Sequence, residues 1–372
     1  MPCVIALAVF VIVWTAAPAS AQVVVATGVA EDATEANSQP KIASDKSGKV
    51  YLTFVKPVGG YSQIFVASSA DGRRWAVEQV SRASAHAKYP ALAVDARGTV
   101  HMVWYGIRAG APVVTTRHGS LYEILYTSTS GGRLRPVTNG AGWTPPAVIS
   151  PGIPDSINPA LVIDQTGRLH SAWYQFDLRN YQVRHTVADR GIWMRPETIS
   201  SGRADSMAVA LAAGPSGTVL VIWERRDPDG SRIDFAERTQ RWSGQQQLSP
   251  PAQRGFNPSV TADARGRVYA AWDSAGQIYL RRRNGAWEDT ERVTNQPENA
   301  RPIVAAAGRS VLLMWTQQSG DESRLRLMPV ADAGAPVLRS RLPWGLVAGG
   351  AVVAGLFIIW TVLRQRRSRG VA

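Results

Sequence analysis

A six-bladed, all-β propeller is the architecture this sequence predicts, and three observations carry it. One hairpin pattern is written six times between Gln39 and Trp315. Tryptophan falls in two fixed slots of that pattern and, outside the apolar end segments, nowhere else. The intervening chain is rich in strand formers punctuated by Gly and Pro, with no long amphipathic helical period. Repeats spaced 43 to 69 residues between first-slot tryptophans suit four-stranded sheets arranged radially.

Residues 1 to 21 read as a secretory signal: an apolar run from Val4 to Trp14, then Ala19-Ser20-Ala21 as a small-x-small cleavage site. The lone cysteine, Cys3, lies in that segment, so the exported chain would hold no disulfide and no thiolate metal site. Gln22 to Gly28 follows without a hairpin partner of its own. It is expected to supply the outer strand of the last blade and close the ring.

The repeat is clearest as FNPSVTADARGRVYAAWDS, Phe256 to Ser274. Pro258 opens an alternating strand, Asp263 and Gly266 bracket a tight turn, and a second alternating strand ends on Trp272. Aspartate at the first and glycine at the fourth position suit a type I turn. The other copies run from Gln39 to Phe54, Tyr89 to Trp104, Asn158 to Trp173, Ala208 to Trp223 (with Gly214 in the aspartate position) and Arg301 to Trp315. A third strand, a polar turn, a second-slot tryptophan and a closing Ser or Thr follow each of the first five: Trp75 with Ser81, Trp143 with Ser150, Trp193 with Ser200, Trp242 with Ser249, Trp287 with Thr294. Such regular placement assigns these indoles to packing. The propeller is therefore expected to occupy residues 22 to 331, followed by a linker over 332 to 343.

Trp344 to Leu363 is a twenty-residue segment without a charge, long enough as a helix to cross the ~30 Å hydrocarbon core. Residues 364 to 372 form a tail with four arginines, which the positive-inside rule places in the cytoplasm and the propeller outside. The formal charge of +13 comes from 41 basic against 28 acidic residues. For an exported, anchored chain that balance points to anionic glycans, envelope polymers or lipid head groups as partners, with no nucleic acid.

The third-to-fourth strand turn of the first blade reads SADGRRW. With Ser69, Asp71, Gly72 and Trp75 it resembles the Asp-box of the sialidase superfamily and its bacterial-neuraminidase repeats. That resemblance implies a propeller, with the box as a structural turn on the face opposite the active site. It further implies, for catalysis, three arginines, a Tyr–Glu nucleophile pair and an aspartic acid/base. The first of those arginines belongs to an Arg-Ile-Pro motif, and here the place reads Ser38-Gln39-Pro40-Lys41. No sialidase turnover is expected.

Histidines offer no alternative chemistry, since His101 and His170 share one repeat position with Tyr51, Leu220 and Tyr269. No metal or cofactor motif emerges. The ligand face is expected at the loops after the second strands and before the first strands, which carry residues such as Tyr89, Tyr105, Asp155, Tyr174, Tyr181, Arg226 and Arg301. Within it, Asp177, Arg179, Glu224, Arg225 and Asp273 follow closely on inner strands and are the expected ligand-binding residues. Two functional readings result. One is a membrane-anchored module binding an extracellular protein or glycan; the other is a divergent sialidase-like exo-glycosidase.

Overall fold

The computed structural model describes residues 41–330, apart from 72–73, 109, 117–118, 130–141, 151–154, 215–216, 264, 308–309 and 320–321. The signal segment, the closing strand at Gln22 to Gly28, the linker, the 344–363 segment, the basic tail and Gly72 all lie outside the described residues.

Six antiparallel sheets follow one another along the chain, forming a six-bladed propeller. Their inner strands are Lys41–Ser44, Ala87–Val94, Ser156–Ile163, Asp205–Ala213, Phe256–Ala262 and Asn299–Ala307. Successive inner strands pack side by side. The second strands, such as Val219–Asp227 and Val268–Ser274, pair with the inner ones and with a third strand beyond. The sixth sheet has three strands among the described residues, ending at Glu322–Val330. No helix among the described residues is long and apolar enough to cross a membrane.

Turn chemistry explains why the hairpins form. Asp95 Oδ1 accepts the backbone N–H groups of Arg97 and Thr99, both at 2.8 Å, while Gly98 takes φ +81°. Asp45, Asp164 and Asp263 repeat the arrangement, with Gly48, Gly167 and Gly266 at φ +83° or +84°. A left-handed residue closing each turn is cheap only for glycine.

The shared His/Tyr position serves the same turns. Tyr51 OH donates to Asp45 Oδ2 (3.3 Å), Tyr269 OH to Asp263 Oδ2 (3.4 Å), and His170 Nε2 lies 3.2 Å from Asp164 Oδ2. His101 Nε2 stands 3.6 Å from Asp95 Oδ2. In the fourth blade Gly214 replaces the aspartate, and the partner is the buried, apolar Leu220. A polar side chain occupies this slot only where a turn carboxylate awaits it.

The closing Ser or Thr of each blade has a backbone task. Its hydroxyl accepts the N–H of the third strand: Ile64 on Ser81 (2.8 Å), Ile124 on Ser150 (2.9 Å), Val183 on Ser200 (2.8 Å), Ile233 on Ser249 (3.1 Å) and Ile278 on Thr294 (2.9 Å). These amides are buried and would otherwise go unpaired.

First-slot indoles fill the blades. Trp104, Trp173, Trp223 and Trp272 are almost fully buried, each removing roughly 200 Å² from water, on the order of 5 kcal/mol. Second-slot Trp143, Trp193, Trp242 and Trp287 pack at the seams, each against a cluster that joins two successive blades.

Candidate functional site

Each inner strand from the second blade on breaks its ladder at the same place. The register shifts between Lys88 and Ala91, Ile157 and Ala160, Met207 and Ala210, Phe256 and Ser259, and Ala300 and Ile303. At each bulge one non-glycine residue takes positive φ: Tyr89 (49°), Asn158 (52°), Ala208 (48°), Asn257 (49°) and Arg301 (54°). Left-handed backbone costs such residues ~1–2 kcal/mol each. Proline follows four of them, but Val209 follows Ala208 with the same geometry, so the bulge and not the proline sets the conformation. The sequence suggested strands starting at the proline and placed Tyr89 and Arg301 in preceding loops. Instead the strands begin two or three residues earlier and carry these residues inside them.

These five residues line a central cavity of about 490 Å³ together with Pro90, Pro159, Val209, Pro258 and Pro302. A second ring surrounds them, formed by the residue after each first-slot tryptophan: Tyr105, Tyr174, Glu224 and Asp273 in blades two to five. The rings touch in the second, third and fifth blades. Tyr89 stacks on Tyr105 with ring centroids 5.6 Å apart, Asn158 Nδ2 donates to Tyr174 OH (2.9 Å), and Asn257 Nδ2 donates to Asp273 Oδ1 (2.9 Å). Asp273 Oδ1 also accepts the backbone N–H of Arg301 from the next blade (3.0 Å).

One side of this mouth is aromatic. Tyr105 meets Tyr122 edge to face at 5.1 Å, and Tyr174 meets Tyr181 likewise at 5.3 Å. Between the pairs lies Asp155, whose Oδ1 accepts the N–H of Tyr122 (2.9 Å) and whose Oδ2 accepts Tyr181 OH (3.5 Å). Tyr122 arrives on the longest connection between second and third strands, residues 107 to 122, which carries a small ribbon of its own. Burial and neighbouring phenols push Tyr105 and Tyr174 far above the usual tyrosine range, so both stay protonated donors. Burial likewise pushes the Asp155 carboxyl up.

The other side is acidic and paired. Glu224, 2% exposed, accepts from Arg226 Nε and from Ser231 Oγ (2.8 Å). Burial, reinforced by the nearby Glu224 charge, pushes the Asp273 carboxyl above its ordinary value.

Of the expected binding residues, Glu224 and Asp273 thus lie within electrostatic reach of each other. Asp177 and Arg179 sit at an exposed hairpin tip, where Asp177 Oδ1 caps the N–H groups of Arg179 and Asn180 at 2.9 Å. Arg225 turns away from Glu224, as strand alternation requires, toward Ser201 O (3.4 Å) and Asp227 Oδ2 (3.4 Å). Tyr122, Asn158 and Asn257 were missed; the recurring residue before the proline was the signal for the last two.

At the opposite end of the blades, Asp71 Oδ1 accepts the N–H of Arg74 (2.9 Å) and pairs with Ser69 Oγ (3.2 Å). Trp75 follows, half-buried. Among the described residues no group of three or more His, Cys, Asp or Glu side chains could hold a metal ion.

No family model matches the chain, and no curated protein matches it in sequence. Solved structures do match. They include a polysaccharide lyase family 25 ulvan lyase bound to a GlcA(1-4)Rha3S unit (13% identity, 78% of this chain and 80% of that one, TM-score 0.57). A GH93 α-L-arabinofuranosidase of Fusarium graminearum with arabinobiose matches over 78% of this chain and 91% of that one (13%, 0.53). A Hadza microbial sialidase matches over 75% and 63% (13%, 0.51). The resemblance carried by Ser69, Asp71 and Trp75 thus agrees with the architecture: a six-bladed propeller of the kind found in sialidases.

Proposed function

We propose that the chain is a glycan-binding propeller, exported and held at the cell surface by its C-terminal segment, with the sugar received at the tyrosine-lined mouth. One observation carries the reading: five residues on strained backbone line one open cavity, backed by a second set of side chains, and both sets differ from blade to blade. Strain of this kind is retained where the surrounding structure holds it for a purpose. Aromatic walls with a few fixed polar groups suit a ligand that has apolar faces and a rim of hydroxyls, as sugars do. Export and anchoring are supported by the apolar runs at 1 to 21 and 344 to 363 and by the four tail arginines.

The full-length chain in detergent should retain sugars from a glycan panel, and Tyr105→Ala with Tyr174→Ala should abolish retention. Retention unchanged by that pair would reject the mouth as the site. Protease added to spheroplasts should remove the propeller; complete protection would reject the orientation.

A second reading, glycoside cleavage, is favoured by Asp273, whose raised carboxyl beside Glu224 is what a general acid next to a second carboxylate requires. Fluorogenic glycosides test it. Turnover lost in Asp273→Asn would establish cleavage over binding alone.

A further inference from the structure

Asp155 differs from the other carboxylates of the mouth. Glu224 has Arg226, and Asp273 has the Asn257 amide and the Arg301 N–H. Asp205 accepts the N–H of Tyr181 (2.9 Å) and lies within electrostatic reach of Arg226. Asp155 has one backbone N–H, one tyrosine hydroxyl and, among the described residues, no cation. A carboxylate offers about four lone-pair sites, so acceptor capacity is left over. Asp155 is only partly buried.

Around it stand four phenol rings. Tyr105 and Tyr122 meet on one side and Tyr174 and Tyr181 on the other, and the Asp155 charge is felt by Tyr105, Tyr174 and Tyr181. Aromatic faces attract cations electrostatically, more strongly when water is excluded, and a carboxylate among them supplies the counter-charge. An anion would meet the negative ring faces and Asp155 together. The chain's overall positive charge does not reverse this, because exposed charges beyond ~8 Å are largely screened at physiological salt.

We propose that the cluster of Tyr105, Tyr122, Tyr174 and Tyr181 around Asp155 receives the free ammonium group of an amino sugar. This rests on the mouth being a glycan site and names the class of glycan. The ammonium donates to Asp155 and lies against the rings, while the remaining sugar faces Tyr89, Asn158 and the acidic side.

The test compares two probes on the full-length chain in detergent by calorimetry at pH 6: a β-1,4-linked glucosamine oligosaccharide and the same oligomer fully N-acetylated. The amine form should bind at least tenfold more tightly. Asp155→Asn should reduce that preference to near unity, whereas Tyr181→Phe, which keeps the ring and the carboxylate, should retain most of it. Thermal melts check that both variants fold; if Asp155→Asn does not, the comparison on the unchanged chain still decides. Equal binding of the two oligomers, or preference for the acetylated one, overturns the amine assignment and leaves the glycan site standing. So does refusal of both while another panel sugar binds, or capture of a lysine-rich peptide in their place. A chain that retains no glycan at all removes both readings.

Discussion

His170 Nδ1 and His185 Nε2 lie 3.1 Å apart in the third blade, both buried, with their rings stacked at 5.3 Å. The pair is bracketed by carboxylates: His170 Nε2 lies 3.2 Å from Asp164 Oδ2, and His185 Nδ1 lies 3.4 Å from Glu197 Oε1. Two neutral imidazoles supply one N–H each, so two of the three contacts carry a proton. Glu197 Oε1 also accepts from Arg238 Nη1 (2.9 Å) and Trp242 Nε1 (2.8 Å).

Acid should therefore weaken the fold in a definite window. Burial, with the His185 charge adding to it, holds His170 down at about 4, against 6.5 when unfolded, and burial lowers His185 too. On acidification the unfolded chain takes up the proton first, so stability is complete above about 6.5 and declines as pH falls to about 4. The His170 share is about 3 kcal/mol at most. Urea denaturation at pH 7, 5.5 and 4 should show the decline, and His170→Gln should flatten it. Glu197, held down at about 2 mainly by its His185 contact, acts in a separate window below about 4.5.

The fourth blade supplies a template for removing the turn partnership. Asp164→Gly alone removes the partner of His170 Nε2, and His170→Leu alone removes one partner of a carboxylate with 0% side-chain exposure. Made together they reproduce Gly214 with Leu220. The double variant should be less destabilised than the sum of the singles by about 1 kcal/mol or more. Strict additivity in a denaturant-melt cycle would reject the coupling.

Ser200 accepts the Val183 N–H and donates to Gln182 Oε1 (2.5 Å), all in the buried interior. Ser200→Ala leaves both unsatisfied and should cost about 1–3 kcal/mol. Ser200→Thr, as Thr294 already is in the fifth blade, should cost much less. Equal melting temperatures for wild type and Ser200→Ala would contradict the assigned role.

Ala208 tests the left-handed bulges directly. Ala208→Gly relieves the φ +48° conformation and, after the added freedom of the unfolded chain, should stabilise by up to about 1 kcal/mol. Ala212→Gly, in the same strand where φ is not positive, should destabilise. Destabilisation of similar size at both positions would show that the bulge carries no strain.

The scaffold was legible because its determinants are local and repeated. Asp95-x-x-Gly98 specifies its own turn, and the indoles recur in step with the blades. The mouth was legible only in part. Glu224 and Asp273 follow tryptophans in a countable position, so their inward placement could be read. Asp177 was drawn in by proximity to a strand, whereas it caps the hairpin tip it stands on. Arg225 lies one residue beyond Glu224, and strand alternation sends it to the other face. Local sequence marks the bulges incompletely: proline follows four of them, yet Ala208-Val209 adopts the geometry of Asn158-Pro159 without it. Tyr122 reaches the mouth only through a long connection pinned across blades, Tyr122 N to Asp155 Oδ1 and Ser156 N to Tyr122 O (2.9 Å).

The bulged inner strands also bear on how such a protein changes over generations. At the five described bulges the backbone deviation is the same whether the side chain is Tyr, Asn, Ala or Arg, so its identity is decoupled from the fold that presents it. Each is an interchangeable socket: a single codon change there rewrites one sector of the rim and leaves the hairpin turns untouched. A lineage can therefore explore new ligands one blade at a time, on a frame that never has to be refolded to do so.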